Sequence, residues 1–138
     1  MIRATFDTSV YIRALHFGGP AASLLHHARF GNIRIDISTS ILDETLRVLR
    51  EKFAWNGYML HDARRKLHAL THHVSPSTKL CVIKEDPEDD HVLECAIEAG
   101  SDFIVTEDKD LLRLREFGNA RVVNIATFVA LITAPRQE

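Results

Sequence analysis

Four acidic residues stand far apart in the chain, each where a strand is expected to end or a helix to begin: Asp7, Glu44, Asp89 and Asp108. One carboxylate of this kind is ordinary; four converging on one place would not be. Clustered carboxylates repel one another, so together they need protons or a cation. The donors are all oxygen, with no Cys or His at matching positions, which favours Mg2+ or Mn2+. Such an ion can supply a hydroxide nucleophile and stabilise both oxygens of an in-line displacement at phosphorus. Phosphodiester hydrolysis is the chemistry these residue types point to.

The charge distribution agrees. The 19 acids and 17 bases of the chain divide unevenly: 11 acids and two lysines lie between Lys84 and Asp110. The remainder carries 8 acids and 15 bases, a net of +7. An acidic segment inside a basic protein suits a cation site set in a surface that attracts phosphates, and so a nucleic-acid substrate. The bland alternative for the segment is a solvated acidic helix. Six bases cluster in the two middle helical stretches: Arg47, Arg50, Lys52, Arg64, Arg65 and Lys66. They are expected to contact nucleic-acid phosphate rather than only water.

These residues need elements to hold them. Short apolar and β-branched runs predict strands at 2–6, 33–37, 80–83, 103–106 and 121–125. Helical periodicity predicts helices at 20–30, 40–54, 58–72, about 88–99 and 126–133, with Gly31 and Gly100 as stops. In 40–54 the apolar stripe is Leu42, Leu46, Leu49 and Phe53; in 58–72 it is Leu60, Ala63, Leu67 and Leu70. Strands alternating with helices imply α/β architecture, a mainly parallel five-stranded sheet covered on both faces. Ligands bind such sheets at the carboxyl ends of the strands. All four acids fall on that edge.

Each acid also has a purely structural explanation. Asp86-Pro87-Glu88-Asp89 has the pattern of an N-cap followed by a first-turn proline, so Asp86 is expected to cap a helix. Asp89 lies within about 40° of Leu93 and Ala96, on the core-facing side. Glu44 lies opposite its helix's apolar stripe and taken alone would face solvent. Asp7 and Asp108 could each cap the helix that follows.

Ordered motifs add a resemblance. Phe6 to Tyr11, Ser38 to Leu49, Asp86 to Ala96 and Phe103 to Leu112 resemble the four acidic motifs of the PIN-domain (PilT N-terminus) family, over residues 2 to about 130. Within it they look most like the VapC-like toxins of type II toxin–antitoxin systems. The resemblance implies one three-layer α/β/α PIN domain over 1–138 and Mg2+- or Mn2+-dependent endoribonuclease activity on single-stranded RNA. It also implies an antitoxin partner and a homodimer or higher oligomer. By motif position Asp7, Glu44, Asp89 and Asp108 take the catalytic metal-ligand roles. Ser9 and Thr106 take the small polar places that position ligands or the attacking water. Many relatives have Asn where this chain has Ser9. Whether Asp86, Asp90 or Asp110 also touches metal is left open by the motifs.

Other classes fit less well. A haloacid-dehalogenase phosphatase would want an Asp where Ser9 stands. A catalytically silent PIN fold normally lacks one or more acids, and a receiver-like domain needs an acceptor Asp ending a middle strand. Either would make the protein an RNA- or protein-interaction module. His61, His68 and His72 share one predicted helical face, but no further ligand completes a zinc site. Cys81 and Cys95 read as core packing. No aromatic series surrounds Trp55 in the sequence, so no base-stacking platform is visible.

At 138 residues with 46% apolar and 26% charged content, the chain suits a single globular domain. No apolar run approaches the roughly 18 residues of a membrane span. Asp7 interrupts the place of a secretory h-region, and two cysteines make no disulfide framework. A cytoplasmic setting is expected.

Overall fold

The computed structural model describes residues 1–77, 79 and 87–134. Strands β1 (Ile2–Phe6), β2 (Ile33–Ser38), β3 (Thr71–Val74), β4 (Phe103–Val105), β5 (Glu116–Phe117) and β6 (Ala120–Val123) form one sheet in the order β3-β2-β1-β4-β6-β5. All neighbours pair in parallel except β5 with β6. Seven helices surround it: α1 (Thr8–Ile12), α2 (Pro20–Arg29), α3 (Thr39–Phe53), α4 (Gly57–Leu70), α5 (Pro87–Ala99), α6 (Lys109–Leu112) and α7 (Ile125–Thr133). Successive side chains of a strand point to opposite faces. Thus Thr5 meets Cys95 of α5 on one side, while the Phe6 ring packs edge-on against Phe128 of α7 on the other. The result is three layers, α/β/α.

The core follows from the same alternation. Ala4, Phe6, Ile35, Ile37, Leu24 and Phe128 are buried together on the α2/α7 side. Truncating Phe6 or Phe128 to Ala should cost roughly 3–5 kcal/mol. Helix α5 runs beneath β1, β2 and β4 and ends at Gly100, whose φ of +65° lets the chain reverse before β4.

Two expectations need correction. The described sheet has six strands, not five. The helix expected over 58–72 stops at Leu70, and Thr71–Val74 leaves it as edge strand β3, paired to β2 from Ile35↔Thr71 to Ser38↔Val74. The last residue of the apolar stripe was already Leu70. The strand beyond it is short and half-exposed, and only its partner identifies it. His72 therefore leaves the helical face it was expected to share with His61 and His68. The strand expected at 80–83, with Cys81, lies outside the described residues, as does the cap assigned to Asp86.

The order of strands matters for function. The chain builds outward from β1 through β2 to β3, then returns to lay β4 on the other side of β1. Connections leave the two strands in opposite directions there, which opens a crevice outside their carboxyl ends.

Candidate active site

Asp7 and Asp108 follow the two strands that flank this crevice. Asp7 continues β1, its amide donating to the Val105 carbonyl at 3.1 Å, and then turns the chain into α1 as its N-cap. Its Oδ1 accepts from the Val10 amide at 3.2 Å and the Ser9 hydroxyl at 2.6 Å. Its Oδ2 accepts from the Thr106 hydroxyl. Thr106 also accepts from the Asp108 amide at 2.9 Å, so one buried hydroxyl ties the ends of β1 and β4 together. Asp108 in turn caps α6, accepting from the Asp110 amide at 2.8 Å. Capping and cleft-lining are compatible roles for Asp108, because the cap uses only its Oδ1.

Asp7 is only 5% exposed. Burial pushes its carboxyl above the ordinary range, and the nearby Asp108 charge adds to that; the Ser9 and Thr106 hydroxyls and the Val10 amide oppose it. Asp89, in the first turn of α5, is 7% exposed, as its core-side position required. Glu44 lines the cleft with the other acids, although its helix's apolar stripe taken alone would leave it in solvent. It is half-buried, because α3 packs against α1 and α5 and turns that side of the helix toward the crevice.

These four carboxylates line one cleft of about 620 Å3, with Ser9 beside them. Thr8 lines it too, and its buried hydroxyl has no hydrogen-bond partner among the described residues. The tightest group of potential donors differs from the expected set. Asp89, Asp108 and Asp110 each offer a carboxylate oxygen, and the three lie within 4.8 Å of one another. Oxygen-only donors at such spacing suit a hard divalent cation, which would offset their mutual repulsion. Asp110 joins because the turn capped by Asp108 swings residue 110 back toward it. Asp90 is buried on α5 but is not among the described residues lining the cleft.

The order and type of these acids, set on these strand ends, agree with what family comparison finds: the PIN domain model matches residues 3–110. The chain belongs to the PIN domain family. Two solved structures share its fold, each at TM-score 0.63 and 16% identity. PAE2754 from Pyrobaculum aerophilum covers 97% of this chain and 98% of its own. VapBC2 from Rickettsia felis, bound to a DNA fragment from its promoter, covers 89% and 98%. No curated protein matches the sequence significantly.

The six bases separate around this PIN domain. Lys52 alone reaches the acidic cleft. Arg47, Arg50 and Arg64 border a shallower groove between α3 and α4, where Arg64 pairs with Asp43 and Arg47 with Glu51. Arg65 pairs with Asp62, and Lys66 faces a groove toward α2. Arg13, which no motif marked, lines the acidic cleft with Lys52. It is the C-cap residue of α1, one turn past Ser9, and that spacing was its one signal. Cys95 is buried, as core packing required; burial pushes its thiol up to about 12, so it stays protonated and inert.

Proposed function

We propose that the protein is a divalent-metal-dependent endoribonuclease that hydrolyses single-stranded RNA, the toxin of a toxin–antitoxin pair. The observation that carries this is the convergence of Asp7, Glu44, Asp89 and Asp108 on one cleft at the β1/β4 crevice, with an Asp110 oxygen within 4.8 Å of those of Asp89 and Asp108. Asp7, Glu44, Asp89 and Asp108 would hold Mg2+ or Mn2+, with Asp110 as a further donor. When bound, such an ion would polarise the phosphoryl oxygen and lower the pKa of the attacking water. Ser9 and Thr106 hold both oxygens of Asp7 in place by donating to them, so the carboxylate meets its ligand without reorganising. Lys52 and Arg13 would attract the phosphodiester, and the bases of the α3–α4 groove would hold the strand beyond it.

Membership of the PIN family and the fold shared with VapBC2, itself seen on promoter DNA, support the toxin reading. The same reading includes a cytoplasmic location, an antitoxin that silences the cleft and a homodimer or higher assembly. No helix of the described residues is long and apolar enough to cross a membrane.

The test is hydrolysis of mixed single-stranded RNAs by purified protein, with Mg2+ or Mn2+ and with chelator. Cleavage only with metal is expected. Equal cleavage in both would sink the metal mechanism. No cleavage of any RNA in either would leave an interaction module.

A further inference from the structure

Among the described residues, the outer end of the acidic cleft holds an aromatic cluster that the chemistry above does not use. Phe17 and Phe53 line the cleft, with ring centroids 5.6 Å apart and nearly perpendicular planes. His16 meets Phe17 edge-on, with centroids 4.7 Å apart, and Phe53 at a tilt, 4.4 Å apart. Its Nδ1 accepts from the Trp55 indole N–H at 3.0 Å, which fixes the imidazole's orientation. No aromatic series was visible around Trp55 because the ring it meets, His16, lies far from it in sequence. Only the packing of α1 against α3 assembles them.

We propose that this shelf stacks an unpaired base of the single-stranded substrate while Arg13 and Lys52 hold the adjoining phosphates. The proposal rests on the RNA reading above and deepens it. Phe17 is 67% exposed although the His16 and Phe53 rings both contact it, so an apolar face is presented to solvent in a defined orientation. The backbone sets that orientation. Residues Arg13–Phe17 form a widened π-helical turn closed by the Gly18 amide on the Arg13 carbonyl at 2.7 Å. Gly18 then takes φ +81°, a conformation that favours glycine and ends the turn directly after Phe17.

Charge decides the occupant. Arg13 and Lys52 share the cleft with the shelf, and neither makes an ion pair among the described residues. Carboxylates at the inner end, two free cations and aromatic faces at the outer end match a chain of phosphates bearing flat apolar groups. Every base offers a π-face, so stacking is tolerant of sequence, but a paired base has no free face. The shelf would therefore select single strands over duplex.

The test is fluorescence anisotropy with an end-labelled, mixed-sequence single-stranded oligoribonucleotide, Ca2+ replacing Mg2+ as an oxygen-ligand cation. A parallel series carries one abasic residue at each position in turn. Wild type should lose about tenfold to a hundredfold in affinity when one particular base is missing. Phe17→Ala should lose a similar factor for the intact strand and be indifferent to that abasic site; Phe17→Trp should restore both. Emission from Trp55, the single tryptophan, should be quenched by the intact strand and less by the abasic one. Equal affinity for all abasic strands, or Phe17→Ala binding like wild type, overturns the shelf while leaving the nuclease reading standing. Phe17→Ala that binds RNA normally but escapes its antitoxin would assign the surface to a protein instead. Wild type that neither binds nor cleaves RNA would overturn the nuclease reading, and the shelf with it.

Discussion

Strands β1 and β2 each lead to a buried aspartate, and the two carboxylates keep opposite company. Asp36, in β2, is fully buried, yet Arg34 Nε donates to it at 2.7 Å, His72 Nδ1 lies at 3.1 Å and the Ser101 hydroxyl donates at 2.7 Å. Ser101 is bonded in turn to Thr5 at 2.8 Å, so the network crosses from β2 to β1 beneath α5. Asp7, at the end of β1, is almost as buried but receives only neutral donors and faces Asp108. A buried charge paired with a cation is already compensated; one without calls for a cation from outside. The same residue type is thus structural in one strand and a candidate ligand in the next.

The largest expected effect breaks the first half of that contrast. Asp36→Ala leaves Arg34 and its neighbours without their acceptor and should cost roughly 3–5 kcal/mol in chemical denaturation. The folded fraction should still cleave RNA at the wild-type rate. A loss below about 1 kcal/mol would show that the network is held by its other members.

Next in size is the second half. Asp89→Asn or Asp108→Asn should fold with a cooperative melt yet lose at least about a hundredfold in cleavage, several kcal/mol of transition-state stabilisation. A folded Asp89→Asn enzyme at the wild-type rate would remove that residue from the site.

Asp7→Asn sharpens the comparison directly. Asn caps a helix about as well as Asp, so the start of α1 should survive. Without metal the variant should be as stable as wild type or more so, by a few tenths to about 2 kcal/mol. Melts of both proteins in chelator and in millimolar Mn2+ decide it. Metal should raise the wild-type melting point more, since binding to the native state stabilises by mass action. The pH dependence has a definite sign. The native carboxyl titrates above its ordinary 3.8, so the native state binds the proton more tightly than the unfolded one. Wild-type stability in chelator should therefore fall as pH rises from about 4 through that raised value. Asp7→Asn should lack this component of the slope. A variant melting well below wild type in chelator would mark Asp7 as structural.

The smallest effect is Ser9→Ala, which removes one of Asp7's donors. About 1 kcal/mol of stability near neutral pH should go with it, read from paired melts, and Ser9→Thr should recover most of it. No change at all would mean that Thr106 and the Val10 amide suffice.

Much of this was legible in advance, and the reason is local. Strand periodicity, the Asp86-Pro87 pattern and the stops at Gly31 and Gly100 are properties of neighbouring residues. They placed β1, β2, β4, β6, α2, α3, α5 and α7 within a few positions of where they lie. Asp89's core-side angle on α5 fixed its burial. The place of Glu44 in the cleft followed from its motif and not from its helix's stripe, because α3 packs against α1, α4, α5 and β2 and the stripe accounts for only part of that contact. β3 was missed because Thr71–Val74 has little character until β2 pairs with it.

What the sequence determined by itself is the set of acids, their places at strand ends and the α/β alternation that puts those ends on one edge. Composition, period and chain order suffice for that. Tertiary structure alone decided which groups meet. Asp110 joins Asp89 and Asp108 because a capped turn folds it back. Asp36, already paired with Arg34 of its own strand, also meets His72 because β3 lies beside β2, and Ser101 because the α5–β4 connection reaches it. Phe17 reaches Phe53 because α1 lies on α3. Each of these contacts depends on the register, crossing and burial of elements that are remote in sequence or on a backbone turn, and no spacing along the chain encodes them.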